Sequence, residues 1–359
     1  MQIIDKLLRL QKVYIFFISF VLFIIIFFTT YLYANTFKVS NVEISSPFRL
    51  NFNKNRALDK GFQTSFLNLL TMITTSGDKK KIKNTSTKEI KAMIDSFTIS
   101  GEKFANNEYF ATLETTFNKK NVLKFLERKN IFPSTPVRNK ILLIPILVNT
   151  ETNNIHLFND NIFYKKWNDV NKNYELLEYL LPTEDLEDLN KIQEMSSSIE
   201  SYDFINLISK YDLKDYIISI IYKNENEVKV LSKINLNNSL KVDSKNYSKI
   251  NLNNKKDFEK VLENLKTTYE DYWKKNNEIN TSIKLPLTIL INSKDYKKIM
   301  KLEEIFNNID LISDFYILKF DNENTQYKVI YNGSPKTFFN DMSKRNFDLI
   351  MEDNMWKIK

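Results

Sequence analysis

The chain has 359 residues, of which 43% are hydrophobic and 27% charged, and its formal net charge is +8. This length and a mean hydropathy of −0.36 indicate a largely folded chain with room for two or three domains. The absence of cysteine excludes disulfides and thiol nucleophiles, and a single histidine leaves His-based metal sites and Ser-His-Asp triads without partners.

The first predicted element is a transmembrane helix over residues 13–34, VYIFFISFVLFIIIFFTTYLYA, which contains no charged residue. At about 1.5 Å per residue it spans roughly 30 Å, the thickness of a bilayer core. Lys6, Arg9 and Lys12 precede it, so residues 1–12 are expected to be a cytoplasmic stub and the remainder periplasmic. Positions along this predicted anchor include Val13, Phe20, Ile25 and Ala34.

The same segment has a second interpretation, a cleaved signal peptide that would leave a soluble periplasmic protein. Signal-peptide cores are shorter, about 7–15 residues, and need small residues at the third and first positions before the cut. Ala34 suits the first of these positions, but Leu32 would occupy the other. An uncleaved single-pass anchor in the inner membrane is therefore favoured.

An α+β module is expected over residues 37–132. FKVSNVEIS, SFTISGEKF and EYFATLETTF are predicted strands. SGDKKKIKNTST is predicted as a loop, followed by a short helix from Thr87 and a last helix capped by Asn118. The main helix is predicted from apolar residues at helical spacing, namely Leu58, Phe62, Phe66, Leu69 and Ile73.

The positive charge is concentrated in this module, because residues 37–135 carry 17 Lys/Arg against 9 Asp/Glu. One interpretation is a solvated surface. The other is attraction to anionic lipid head groups or wall polymers, to which each nearby lysine contributes about 1 kcal/mol. The candidate anionic-ligand surface consists of Lys79, Lys80, Lys81 and Lys83.

Residues 138–283 are predicted to form a three-layer α/β module after a linker that contains Pro133 and Pro136. KILLIPILVN is predicted as a strand buried on both faces, and a hairpin is predicted to turn at residues 224–226. A long helix closes the module. Its predicted inner side carries Phe258, Val261, Leu262, Leu265, Tyr269 and Tyr272.

Four carboxylates cluster in LLPTEDLEDLNKIQ, residues 180–193. Such a cluster could hold calcium or supply an acid and base for glycoside hydrolysis. It could equally begin a helix, since Thr183 or Asp185 suits the N-cap and acids stabilise a first turn. The helix start is the favoured interpretation, because Leu186, Leu189 and Ile192 continue the sequence with an apolar stripe.

Residues 284–359 are predicted to form strand, helix, two strands, helix and a last strand pair, with a turn at residues 332–333. This is the split βαβ order of a ferredoxin-like βαββαβ sandwich. The expected fold class is therefore α/β and α+β, with an N-terminal transmembrane helix and three small modules.

Several short motifs resemble the bacterial envelope family called domain of unknown function 2066. They are LPTEDLEDL at 181–189, KYDLKDYIISII at 210–221, LEEIFNNIDLI at 302–312, YKVIYNGSP at 327–335 and the closing Trp356. The middle module is also similar in pattern to TolB-amino-terminal-type domains, which act as binding units of envelope assemblies. The resemblance implies an exported, non-enzymatic protein and supplies no catalytic residues.

These observations predict a non-enzymatic, membrane-anchored periplasmic protein that binds an unidentified envelope protein. Two alternatives remain: a binder of anionic lipid or wall polymer, and a carboxylate-dependent hydrolase of wall glycan. His156 has no serine or acidic residue at the spacing of a known catalytic motif, and the four scattered glycines cannot form a phosphate-binding loop. Arginine is scarce and the aromatic residues fall on core positions, so nucleic acid is not expected as a partner. Because the residues of most enzyme classes are missing, no cofactor is expected and a small-molecule substrate is not favoured.

Overall fold

The computed structural model describes residues 37–169, 174–352 and 355–358, which fold into three β-sheets with helices packed against them. A mixed α/β fold is therefore confirmed. Among the described residues, no helix is long and apolar enough to cross a membrane. The cytoplasmic stub 1–12 and the predicted anchor 13–34, with Val13, Phe20, Ile25 and Ala34, lie outside the described residues.

The first sheet is antiparallel and packs one face against a long helix. Its strands are β1 (Phe37–Pro47), β2 (Ile94–Ala105) and β3 (Glu108–Phe117), in the order β1-β3-β2. The helix is α1 (Lys54–Ile73), and all five apolar residues predicted for its inner face are buried. Asn53 begins the helix, because its side chain accepts a hydrogen bond from the Arg56 backbone N–H.

Three shorter helices complete this part of the chain: α2 (Ser76–Ile82), α3 (Thr87–Ala92) and α4 (Lys119–Arg128). Helix α2 corrects the loop predicted for SGDKKKIKNTST. The Thr75 side chain caps it by accepting from the Asp78 backbone N–H, and Ile82 anchors its end in the core. A single apolar residue in a lysine-rich stretch gives no periodicity, so the helix was not predicted.

The middle sheet contains β4 (Asn139–Asn149), β5 (Asn154–His156), β6 (Leu177–Leu180), β7 (Tyr216–Lys223), β8 (Glu227–Leu236) and β9 (Ser239–Ser248). Its order is β5-β4-β7-β8-β9, and β6 pairs with the beginning of β4. Strand β4 is parallel to β6 and β7, whereas the remaining pairs are antiparallel.

Helices cover both faces of this sheet. They are α5 (Ile162–Lys166), α6 (Leu186–Glu194), α7 (Ile205–Ser209) and α8 (Lys255–Asn276). Alternate residues of β4 contribute to two separate apolar clusters, one shared with α5 and α8 and the other with α6 and α7. The prediction that β4 is buried on both faces is therefore confirmed.

The third sheet contains β10 (Leu285–Asn292), β11 (Ile312–Phe320), β12 (Asn324–Tyr331), β13 (Leu349–Glu352) and β14 (Met355–Ile358). Helices α9 (Tyr296–Asn308) and α10 (Pro335–Ser343) pack against it. The chain order is the predicted one, and β11-β12-β10-β14 follow the sheet order of a ferredoxin-like sandwich, but the sheet departs from that fold in its last two strands. The final hairpin places β14 parallel to β10 and moves β13 to the edge.

Side chains and backbone groups join the three sheets into one compact unit over the described residues from Phe37 onward. Asp271 on α8 accepts hydrogen bonds from the backbone N–H and hydroxyl of Ser76, at 2.8 and 2.6 Å. Lys119 Nζ lies 2.7 Å from Asp310. The predicted linker also packs closely, since Ser134 is buried and pairs with Glu278. The boundaries of the three modules stay a prediction.

Candidate strand-binding groove

Strand β2 is the exposed edge of the first sheet. It pairs with β3 on one side only, and nearly all its residues are exposed along a length of 12 residues. Its register with β3 is regular from Ser96 to Ser100 and shifts on either side of that stretch. Because an edge strand carries unpaired N–H and C=O groups, this regular stretch is a template for another strand.

The register shows which side of β2 faces the helices. Phe97 lies opposite Thr115 and Ile99 opposite Leu113, and both β3 residues are buried on the face that packs against α1. Phe97 nevertheless remains 49% exposed, and its ring meets that of Phe62 at a centroid distance of 5.0 Å. The core-facing side of β2 is therefore partly open.

A pocket of about 610 Å³ occupies the space between β2, α1 and α3. Its apolar lining comes from Leu58, Phe62, Ile94 and Phe97. Its polar lining comes from Asn55, Asp59, Lys91, Asp95 and Ser96. An apolar floor with a few polar groups at the rim is the usual composition of a site that holds a large apolar side chain.

The edge of β2 from Ser96 to Ser100 and the adjoining pocket together form the candidate groove. Charged groups lie near both of its ends. Lys91 Nζ lies 2.6 Å from Asp59 Oδ1, and Lys54 Nζ lies 2.8 Å from Glu102 Oε1. The remaining acid, Asp95, is exposed, and its carboxylate has no hydrogen bond or ion pair within the part of the chain that the structure describes. Asp95 can therefore accept from a cationic group of a bound molecule.

The opposite edge of the same sheet is partly covered. The Tyr174 hydroxyl donates to the backbone carbonyl of Ser40 on β1 at 2.9 Å, so residues next to the middle sheet occupy that edge. Strand β2 therefore offers the more accessible edge of the first sheet. The sequence does not predict the groove, because Leu58 and Phe62 fit the apolar stripe of α1 and nothing in the pattern indicates that they also line a pocket.

The acidic stretch 180–193 begins a helix, as predicted. The Asp185 side chain accepts from the backbone N–H groups of Glu187 and Asp188, at 2.8 and 3.3 Å. Lys210 Nζ lies 2.8 Å from Asp185 and 2.7 Å from Asp188. The Lys210 hydrogen bond, followed by the two backbone N–H groups, lowers the pKa of Asp185, whereas a general acid needs a raised pKa.

The four predicted anion-binding lysines lie at and just beyond α2. Lys79 donates to the Thr71 hydroxyl, and Lys81 Nζ lies 2.7 Å from Asp78, so these two already have protein partners. Lys80 and Lys83 are exposed. The single histidine, His156, is half-buried on β5, in register with Leu147.

A second pocket, of about 410 Å³, lies beyond the carboxyl ends of β4 and β7 and is rich in asparagine. Its amides already bind the surrounding backbone. Asn149 accepts from the Glu151 N–H at 3.0 Å, and Asn224 accepts from the Glu227 N–H at 2.7 Å. These bonds shape the turns around the pocket, so it is a weaker candidate than the groove at β2.

Helix α8 buries three charged residues one turn apart, Lys266, Glu270 and Lys274, each at most 5% exposed. Glu270 Oε1 accepts from the backbone N–H groups of Leu176 and Leu177, at 2.8 and 2.7 Å. Glu270 Oε2 lies 3.5 Å from Lys274 Nζ. The carboxylate therefore holds the start of β6 against α8.

Burial raises the pKa of Glu270 above its ordinary value of 4.5, although Lys274 and the two N–H groups oppose this shift. Between 4.5 and the raised folded pKa, the folded state binds more protons than the unfolded state. We therefore expect Glu270 to lower the stability of the fold as the pH rises through this window. In urea unfolding at a series of pH values, Glu270→Gln should remove this fall in the free energy of unfolding. If the free energy of unfolding changed with pH in the same way for the native chain and the variant, the expectation would be wrong.

No protein-family model matches this chain, and a comparison with curated proteins gives no match. The resemblance of its short motifs to domain of unknown function 2066 and to TolB-amino-terminal-type domains stays a prediction.

Proposed function

We propose that the protein is a non-enzymatic, membrane-anchored interaction module of the bacterial envelope. It binds an extended segment of a partner protein at β2. The observation that carries this proposal is the exposed regular stretch Ser96–Ser100 beside a partly apolar pocket. Backbone hydrogen bonds from an added strand give affinity, and pockets for its alternate side chains give specificity.

The groove defines the chemistry of the segment. Side chains of a strand point alternately to opposite faces, so every second residue of an added strand faces α1 beside Phe97. One of these residues is a large apolar side chain that fills the pocket over Leu58 and Phe62. A neighbouring lysine or arginine pairs with Asp95.

The second part of the proposal concerns the predicted transmembrane anchor. Residues 13–34 hold the chain in the inner membrane as a single pass, with residues 1–12 in the cytoplasm and the groove in the periplasm. The uncharged segment and the preceding Lys6, Arg9 and Lys12 support this orientation. A cleaved signal peptide would deliver the same groove to the same compartment as a soluble protein.

A phage-displayed peptide library panned on the full chain tests the groove. We expect enriched peptides with alternating apolar residues and an adjacent cation. Phe97→Ser should weaken their binding by about tenfold or more, since burial of a large apolar side chain contributes roughly 1.5–3 kcal/mol. The measurement is the Kd of a selected peptide by calorimetry.

Phe320→Ser is the matched control, because Phe320 is a comparably exposed phenylalanine on another edge strand, β11. It should leave the Kd unchanged. Failure to enrich any peptide, or equal binding by the native chain and the Phe97→Ser variant, would remove the proposed site.

A further inference from the structure

Two loops at the end of the first sheet form an exposed apolar tip. The first, residues 48–53, joins β1 to α1, and the second, residues 106–107, joins β2 to β3 directly after Phe104 near the end of β2. The backbone N–H of Phe48 donates to the carbonyl of Asn107 at 2.7 Å and ties the two loops together. The tip does not include the residues that line the groove.

Aromatic packing supports the tip from beneath. The ring of Phe48 lies 5.2 Å from Phe52 and 4.7 Å from Phe104, and Phe52 lies 5.1 Å from buried Tyr109. Phe48 and Phe104 are still 46% and 55% exposed, and Leu50 at the apex is fully exposed. The loops thus hold large apolar side chains in water on a packed aromatic base.

Positive charge surrounds this apex. The guanidinium groups of Arg49 and Arg56 are exposed and have no ion pair or hydrogen bond within the described residues. Lys103 is also exposed, with Nζ 5.6 Å from the Phe110 ring. Of the nearby acids, Glu102 is paired with Lys54, and Glu108 accepts a hydrogen bond from the Ser45 hydroxyl, so these two acids do not balance the three cations. The exposed surface around the tip therefore carries a surplus of cations.

We propose that this tip, formed by Phe48, Leu50 and Phe104 with Arg49, Arg56 and Lys103, inserts into the head-group region of an anionic lipid bilayer. Exposed apolar patches of this kind mark membrane or protein contacts, and aromatic side chains favour the membrane–water interface. The surrounding cations select the bilayer, since each basic side chain near an anionic surface adds attraction. The apolar apex drives insertion, and the surrounding basic residues give the preference for anionic lipid.

The test uses the full chain with Leu50→Trp, studied with vesicles that contain brominated phospholipid. Leu50 is fully exposed, so the substitution leaves the packed core untouched. With phosphatidylglycerol vesicles we expect a blue shift and quenching of the added tryptophan, and weaker effects with phosphatidylcholine. Reversing Arg49 and Arg56 to glutamate in the same chain should abolish the difference between the two lipids.

Leu240→Trp is the control, because Leu240 is 65% exposed on β9 and should stay unquenched. Subtracting the signal of the native chain, which contains Trp167, Trp273 and Trp356, leaves the signal of the added tryptophan and separates failure of the tip from failure of the anchor or the groove. Equal quenching at positions 50 and 240, or none at position 50 in either lipid, would overturn the proposal. Insertion without any dependence on lipid charge would overturn the role of the arginines.

Discussion

Replacing Glu270 by leucine is expected to lower the free energy of unfolding by about 3–5 kcal/mol, because it leaves a buried charge and two buried N–H groups without partners. The charge is that of Lys274, 3.5 Å from the carboxylate. The N–H groups are those of Leu176 and Leu177. Urea unfolding followed by tryptophan fluorescence measures the change, since Trp167 is buried in the same apolar cluster as these two leucines.

Glu259→Leu provides the comparison on the same helix. Glu259 is only partly buried, and its ion pair with Lys255 is loose at 3.8 Å. Surface changes of this kind usually alter stability by no more than about 0.5 kcal/mol. If the two leucine variants unfolded at the same urea concentration, the buried carboxylate would have no structural role.

Gly61→Val should also destabilise the fold, by about 1–3 kcal/mol, through overpacking. Gly61 lies on α1 where the helix approaches β1 and β3. A Cβ added there would lie 2.6 Å from Ile44 Cδ1 and 3.1 Å from Leu113 Cδ2. Because valine adds two further methyl groups, either the buried Ile44 and Leu113 side chains or the helix itself must shift.

Gly77→Val is its control, since Gly77 is also helical but has no atom within 4 Å of an added Cβ. Thermal unfolding followed by circular dichroism compares the two variants. We expect a lower Tm for Gly61→Val alone. A similar Tm for both variants would mean that the α1–β1 contact tolerates extra volume.

Much of the fold could be predicted from the sequence, because periodic apolar residues report burial directly. The stripe of α1, the doubly buried β4 and the hairpin at residues 224–226 all follow from such patterns. The sequence does not predict strand β9, since Leu240 and Val242 are exposed and its other residues apart from Tyr247 are polar. The only local sign was the pair Asn237 and Asn238, both with positive φ, which suits a tight hairpin turn.

Features that depend on distant partners could not be predicted. Lys266, Glu270 and Lys274 have the composition of a solvated helix face, yet β6 and its approach segment bury them. Similarly, the final strand lies between β10 and β13 through pairing that no local pattern specifies. The groove depends on β2 being an edge strand, which is a property of the sheet order and not of residues 94–105 alone.

Hydrogen exchange of the full chain, with and without a peptide selected on it, tests strand addition at β2 most directly. An added strand makes new backbone hydrogen bonds, so the account predicts slower exchange of amides within Ser96–Ser100 when the peptide is bound. The amides of β9, an exposed edge strand of the middle sheet, should exchange at an unchanged rate. Unchanged exchange throughout β2 at saturating peptide would contradict the proposed function.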